Sequence, residues 1–394
     1  MCKASVNSSN AFHYYRRKRT LTFSSLRTYP PRHNLLELVH CLSFNPCDDI
    51  VYSVGGVRLL GILDILEFVE NSFLSSPQSV YRLAERSAYR TKLRVGFFLP
   101  QIGPVADQRT IVKVAKRAEE LSYDALWVTE RLLWPIEPQT SYYGGPIPEV
   151  YKRVFDPIET LTFVAAHTNR IALGTSVLDI PFYNPVMLAR RLTTLDVLSS
   201  GRLRVGFGLG WSKDEYDAVG ATLKGRGKRA DEFMKVIKTI WTTDPAEFHG
   251  KYFQLPKSII QPKPIQKPHP PIFMAGFVPS AMKRVATFAD GWMPVGLSVD
   301  QLKLMAKQIK DMVKNAGRDP AAFKVVARYN IDVRPQPVVG DRGFFSGSVD
   351  QIREDIRAVN DARPDELLID PTFSADSQTE DGFLRNLERI RKMT

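Results

Sequence analysis

Cysteine is scarce in this chain of 394 residues: only Cys2, Cys41 and Cys47 are present, and none follows. The chain after residue 47 therefore folds without a disulfide framework and acts without a thiolate, which suits the cytoplasm. His33 and His40 lie among those cysteines, but the spacing matches no zinc pattern, so no metal is expected. No apolar run approaches the roughly 20 residues that span a bilayer, so no membrane is expected either. The H-E-x-x-H and G-x-S-x-G signatures are missing. Of the six histidines, His167 sits in an apolar helix, while His249 and His269 lie in "EFHGKYF" and "KPHPP", which read as structural. With so few acid–base candidates, difficult chemistry would fall to a cofactor.

Acidic residues are absent before Glu37, and "TYPPRHN" interrupts any helix there. That composition fits a loosely ordered tail better than a transit peptide, because no cleavage signal follows. Residues 1–91 are read as an N-terminal extension, largely disordered or weakly helical, with a helix over "GGVRLLGILDILEFVENSFL". The net charge is +12, yet cations and acids interleave over most of the chain. The one dense basic run is Arg16, Arg17, Lys18 and Arg19, and no aromatic-plus-basic platform accompanies it. Nucleic acid is not an expected partner.

From Lys92 onward the chain alternates regularly. "KLRVGFFLP" has strand length, and "TIVKVAKRAEELSYD" sets Ile111, Val114, Ala115, Ala118 and Leu121 on one helical face. "ALWVTE" is the second strand. Further strands are placed at 171–174, 202–207, 271–275, 291–295, 324–330 and 366–369. Helices fall at 156–167, 185–199, 279–289, 299–315, 348–360 and 380–392, the first with Asp156 as N-cap and Pro157 at its first position. The strands are continuous apolar runs, as expected of a parallel sheet covered on both faces. Eight β/α units in about 300 residues fit a (β/α)8 TIM barrel, here with insertions after strands two and four. Function would then gather at the strands' C-terminal ends.

Those ends carry the candidate site. Strand two ends in Glu130 and Arg131, which form either a structural salt bridge or a contact to an anionic or carbonyl group of a ligand. The long loop that follows holds Trp134, Tyr142 and Tyr143, an aromatic lid or simple packing. Strand three shrinks to Gly174, Thr175 and Ser176 in "IALGTSVLDIPFYNP", either for a tight turn or to let a flat ligand approach. Strand four ends "GFGLGWSKDEY". Trp211 stands where the last glycine of a dinucleotide fingerprint would be, so Gly206, Gly208 and Gly210 are read as giving a flat ring access to the backbone. Trp211, Asp214 and Glu215 would face the pocket or the next helix. After strand five, Gly276 to Ser280 lead into a helix whose N-terminal amides suit a phosphate, although the usual barrel site follows strands seven and eight.

Together, "RAEELSYDALWVTERLLWP", "IALGTSVLDIPFYNPVMLARRLTTLDVLSSGRLRVGFGLGW", "DEFMKVIKTIWT" and "PPIFMAGFVPSAMKRVATFADGW" resemble the bacterial luciferase-like superfamily over residues 92–392. The pattern is most similar to its branch that uses the deazaflavin coenzyme F420. The resemblance implies a non-prolyl cis peptide at Ser176–Val177, behind the cofactor ring and next to Thr175. It further implies cofactor phosphate at the backbone of Gly276, Phe277, Val278 and Ser280, Asp214 facing the ring or substrate, and a homodimer. One departure concerns chemistry: the F420-dependent sugar-phosphate dehydrogenases carry Asp–His where this chain has Glu130–Arg131, and an acid where it has Trp211. A larger, less polar substrate beneath Trp134, Tyr142 and Trp211 is expected instead. The expected reaction is hydride transfer between F420 and an apolar or conjugated small molecule, with Glu130, Arg131 and Asp214 as the catalytic candidates. An FMN-dependent monooxygenase is the alternative, and a cofactor-binding barrel without turnover the third reading.

Overall fold

Each continuous apolar run from residue 93 onward becomes a strand because helices cover one of its faces and other strands' side chains cover the other. The computed structural model describes residues 93–394 and, before them, three strands: β1 (Arg19–Phe23), β2 (Ile50–Val54) and β3 (Val57–Leu59). The chain divides into two units, Met1–Lys92 and Leu93–Thr394. In the first, β1 pairs parallel with β2, and β2 pairs antiparallel with β3, setting Val54 against Val57. Val57–Leu59 thus forms a strand inside the stretch expected as helix. The rest of that stretch, the basic run before Arg19, and His33, His40 and the three cysteines lie outside the described residues.

The second unit runs β4 (Arg94–Phe98), α1 (Gln108–Glu120), β5 (Ala125–Val128), α2 (Pro157–Ala165), β6 (Ala172–Thr175), β7 (Leu178–Asp179), α3 (Pro185–Leu198) and β8 (Leu203–Gly208). It continues with α4 (Lys213–Ala218), α5 (Arg226–Thr242), the antiparallel pair β9 (Ala246–His249) and β10 (Gln254–Ser258), then β11 (Ile272–Met274) and α6 (Pro279–Phe288). The last elements are β12 (Gly291–Trp292), α7 (Val299–Asn315), β13 (Lys324–Asn330), β14 (Asp332–Val333), β15 (Ser346–Gly347), α8 (Val349–Asp361), β16 (Glu366–Asp370) and α9 (Glu380–Arg391). Eight parallel strands close into a ring in the order β4, β5, β6, β8, β11, β12, β13, β16, and β16 returns to β4. The fold is a TIM barrel. Helix α5, whose "DEFMKVIKTIWT" is helical at Phe233, Met234, Val236, Ile237 and Ile240, buries those residues. It lies within the insertion expected after strand four.

Two cores result. Val95, Phe97, Leu126, Val128, Leu173, Leu367 and Ile369 pack outward against the helices. Their neighbours in the strands, Phe98, Ala125, Trp127, Phe273, Met293, Val326 and Leu368, fill the barrel. Trp127 needs unusual room there: a Cβ at Gly174 would lie 2.3 Å from its ring. Its Nε1 donates to Glu366 Oε1 at 2.9 Å, and Arg204 pairs with the other oxygen at 2.5 Å, so this buried carboxylate is satisfied from two sides.

Candidate active site at the C-terminal mouth of the barrel

Glu130 and Arg131 follow β5 but do not pair with each other. Glu130, 5% exposed, accepts the Asp179 backbone N–H through Oε2 at 2.7 Å and the Tyr183 hydroxyl through Oε1. Burial, reinforced by the Asp179 charge, raises its pKa to about 8. Asp179 is buried as well and accepts the Gly210 N–H at 2.7 Å; burial and the Glu215 charge raise it to about 7. Near neutral pH Glu130 is therefore held mostly protonated, while Asp179 stands close to its midpoint.

Arg131 turns the other way, to Glu215. Its Nη1 lies 3.1 Å from Glu215 Oε2, with the two side chains 5% and 0% exposed. Glu215 Oε1 accepts the Leu132 N–H at 2.7 Å, which fixes the carboxylate. The Arg131 guanidinium lies against Trp211, 4.5 Å from the ring centroid, and Tyr151, 5.4 Å away. Asp214, the expected catalytic acid, is not brought to Arg131. It accepts the Gln139 N–H at 3.2 Å and so holds the loop after β5. The register of α4 explains the exchange: Ser212 caps the helix, and Glu215, at its third position, turns inward.

The aromatic residues do meet. Tyr142 contacts Trp211 at 5.4 Å and Tyr151 at 5.9 Å between ring centroids, and Trp134 joins the same cluster with Ile102, Ile147 and Phe373. Tyr143, 83% exposed, joins at the rim, its ring edge-to-face with Tyr142 at 4.8 Å between centroids. Gln101 fastens the ends of this loop, accepting the Thr129 N–H at 2.7 Å and donating to Phe155 O at 2.6 Å.

The backbone between β6 and β7 is held on three sides. The Ser176–Val177 peptide is cis, as the resemblance implies. Thr175 Oγ1 exchanges hydrogen bonds with the Gly206 backbone at 2.9 and 3.0 Å, so this hydroxyl is spent on a strand contact. Ser176 N donates to Val128 O at 2.7 Å. Arg328, from β13 across the barrel, donates to Ser176 O at 2.8 Å and pairs with Asp370 at 2.6 Å. No motif singled out Arg328; it reads as one polar residue in an apolar strand, "VVARYN". The glycines after strand four also meet protein: a Cβ at Gly208 would lie 2.5 Å from Val177 and 2.7 Å from Asp179. The space expected for a ring at Gly208 is taken by the segment after β6. Gly210 uses a positive φ of 66° to aim its N–H at Asp179.

After β11, Gly276 packs its Cα face against Ala281 and accepts the Trp292 indole N–H at 2.9 Å. Phe277 and Val278 are 41% and 60% exposed, and Ser280 is exposed. Val278 is the N-cap of α6 and offers no side-chain acceptor. In contrast, α1, α2, α3, α7, α8 and α9 are capped by Asp107, Asp156, Asn184, Ser298, Ser348 and Thr379. Helix α5, behind Gly225, also lacks a side-chain cap. In α6 the first residue, Pro279, has no N–H and Ala281 N donates to Val278 O, so Ser280 carries the uncapped amide of that turn. Among the described residues, no group of three or more His, Cys, Asp or Glu is placed to hold a metal, and no helix is long and apolar enough to cross a membrane. His167 donates from Nδ1 to Phe163 O, 2.8 Å away, while His249 and His269 bond within the hairpin and to Pro270, all outside the mouth.

The barrel and its mouth place the chain in one group of proteins. The model of the luciferase-like monooxygenase family matches residues 93–338, and the chain belongs to that family. Among its relatives, an uncharacterized protein of Mycobacterium tuberculosis (strain H37Rv) is 30% identical over 239 residues, 59% of this chain and 81% of that protein. An F420-dependent glucose-6-phosphate dehydrogenase of Amycolatopsis mediterranei is 33% identical over 51% of this chain and 56% of its own length. An FMNH2-dependent dimethylsulfone monooxygenase of Pseudomonas putida is 31% identical over 41% of this chain and 44% of its own. Among solved structures, monooxygenase RslO1 from Streptomyces bottropensis shares the fold, with a TM-score of 0.65 at 21% identity over 76% of this chain and 98% of that one.

Proposed function

We propose that this chain is an F420-dependent oxidoreductase that moves a hydride to or from an apolar or conjugated small molecule. The observation that carries the reading is the uncapped start of α6 beside strand five, where the family resemblance expects cofactor phosphate. Gly276, Phe277, Val278 and Ser280 would hold that group through backbone N–H donors and the helix dipole. Bound there, a deazaflavin supplies or accepts a hydride, whereas FMN adds reaction with oxygen. The protein's own part is to present a fixed backbone at Ser176–Val177, to exclude water with Trp134, Tyr142 and Trp211, and to keep a proton on Glu130.

An FMN-dependent monooxygenase is the second reading, favoured by the dimethylsulfone monooxygenase relative. Titrating the full chain with F420 and with FMN, followed by quenching of tryptophan fluorescence, separates the two. Saturable quenching by FMN with no response to F420 overturns the first. A homodimer is part of the proposal: Phe163 on α2 and Met187 and Leu198 on α3 are exposed apolar side chains that a second copy would cover. Sedimentation measures that directly.

A further inference from the structure

We infer that the molecule turned over at this site carries a carboxylate, and that Arg131 grips it through Nε and Nη2. The assignment to a substrate rests on the oxidoreductase reading; the grip itself rests on geometry. Nε and Nη2 are both buried without a hydrogen-bond partner. These two atoms share one edge of the planar guanidinium, so their N–H bonds run side by side, spaced for two coplanar acceptor oxygens. The group cannot lose its proton, and each buried donor left unpaired costs about 1–3 kcal/mol. Such an edge calls for an occupant.

The protein cannot supply one by a small movement. The guanidinium faces lie against Trp211 and Tyr151, so its plane is held. Glu215 lies on the Nη1 side, its Oε2 3.1 Å from that nitrogen without completing a hydrogen bond, and the Leu132 N–H on its other oxygen holds it there. Glu130, next in the chain, is engaged by Asp179 N–H and Tyr183. A lone carbonyl would satisfy one donor and leave the second. A carboxylate satisfies both, and the burial that favours the protonated form of Glu130 limits the repulsion it would meet from that side.

The test uses the full chain, with and without cofactor. Benzoate and cinnamate are compared with their methyl esters and with phenyl phosphate by calorimetry and by the fluorescence of Trp211 stacked on the fork. The acids are expected to bind at least about tenfold more tightly than the esters, about 1.4 kcal/mol. Arg131→Gln should reduce that ratio to within threefold, and Arg131→Lys, which keeps the charge but lacks the fork, should give an intermediate value. Glu215→Gln leaves the fork in place and should keep the preference. Circular-dichroism melts show which variants fold, and Arg131→Lys carries the test if Arg131→Gln does not. Equal binding of acid and ester, a preference that survives Arg131→Gln, or tighter binding of phenyl phosphate overturns the inference. Loss of the acid preference on saturation with cofactor assigns the fork to the cofactor and overturns the substrate assignment. If neither cofactor binds while the preference stands, the oxidoreductase reading fails and the acid site survives; the reverse pattern sinks the acid site alone.

Discussion

Arg328 on β13 donates to the carbonyl of Ser176, 2.8 Å away at the end of β6, and so ties strand seven to strand three across the mouth. Its other amino group pairs with Asp370 at the end of β16, with the side chains 14% and 2% exposed. Its guanidinium also lies 4.3 Å from the Phe98 ring. One side chain thus spans three strand ends.

Arg328→Met should remove that tie and strand the buried Asp370 carboxylate, which would keep only the Thr372 N–H at 3.0 Å. Unfolding in urea is expected to show a loss of about 3 kcal/mol. Cofactor affinity should fall as well if the backbone at Ser176 supports the ring. Unchanged stability would mean that Asp370 finds water on its own.

Glu130 gives the protein a distinctive pH response. Its pKa is raised to about 8 in the fold, above the ordinary carboxyl value, so the native state keeps a proton that the unfolded chain loses. The contribution is present in full below about pH 4.5 and is lost as pH rises to about 8, with a slope of up to about 1.4 kcal/mol per pH unit. Asp179, raised to about 7, adds to the lower part of that window. Glu130→Gln should flatten the fall of stability between pH 5 and pH 8, as read by urea titrations at each pH. A wild-type profile that rises with pH across this window would rule out the protonated state.

Val278→Asp separates helix capping from cofactor binding. A carboxylate at the N-cap of α6 should stabilise the chain by about 1 kcal/mol. Beside a bound phosphate the same charge should weaken cofactor binding by about tenfold or more. Melting and titration should therefore move in opposite directions. Parallel movement would place the phosphate elsewhere.

Gly174→Ala tests the barrel interior, because the new methyl would meet the Trp127 ring. A loss of about 1–3 kcal/mol is expected from overpacking. Adding Trp127→Phe should recover part of it, as a double-mutant cycle would measure. Additive losses would show that the ring moves aside.

A chain beginning at Lys92 should fold and bind cofactor like the full one, since Leu93–Thr394 forms its own unit. Circular dichroism and the same titration check this.

Most of the barrel was legible because its strands are apolar runs and its helices carry caps. Asp156, expected as an N-cap, caps α2 in the structure. The site was legible only in part. Glu130, Arg131, Trp134, Tyr142 and Trp211 share the mouth as expected, yet which carboxylate meets Arg131 depends on the turn of α4. Arg328 and Gln101 carry no motif, since a lone polar residue at a strand end shows its role only once another strand supplies its partner.

The linear order of apolar runs, caps and prolines determined the number of β/α units and the end at which chemistry gathers, because those signals act between residues close in the chain. Tertiary structure alone decided that Glu130 and Arg131 part company, that Val177 fills the space beside Gly208, and that one edge of a buried guanidinium stays unpaired. Those outcomes depend on groups tens to hundreds of residues apart, whose distances are set by barrel closure and by the side chains that meet inside it.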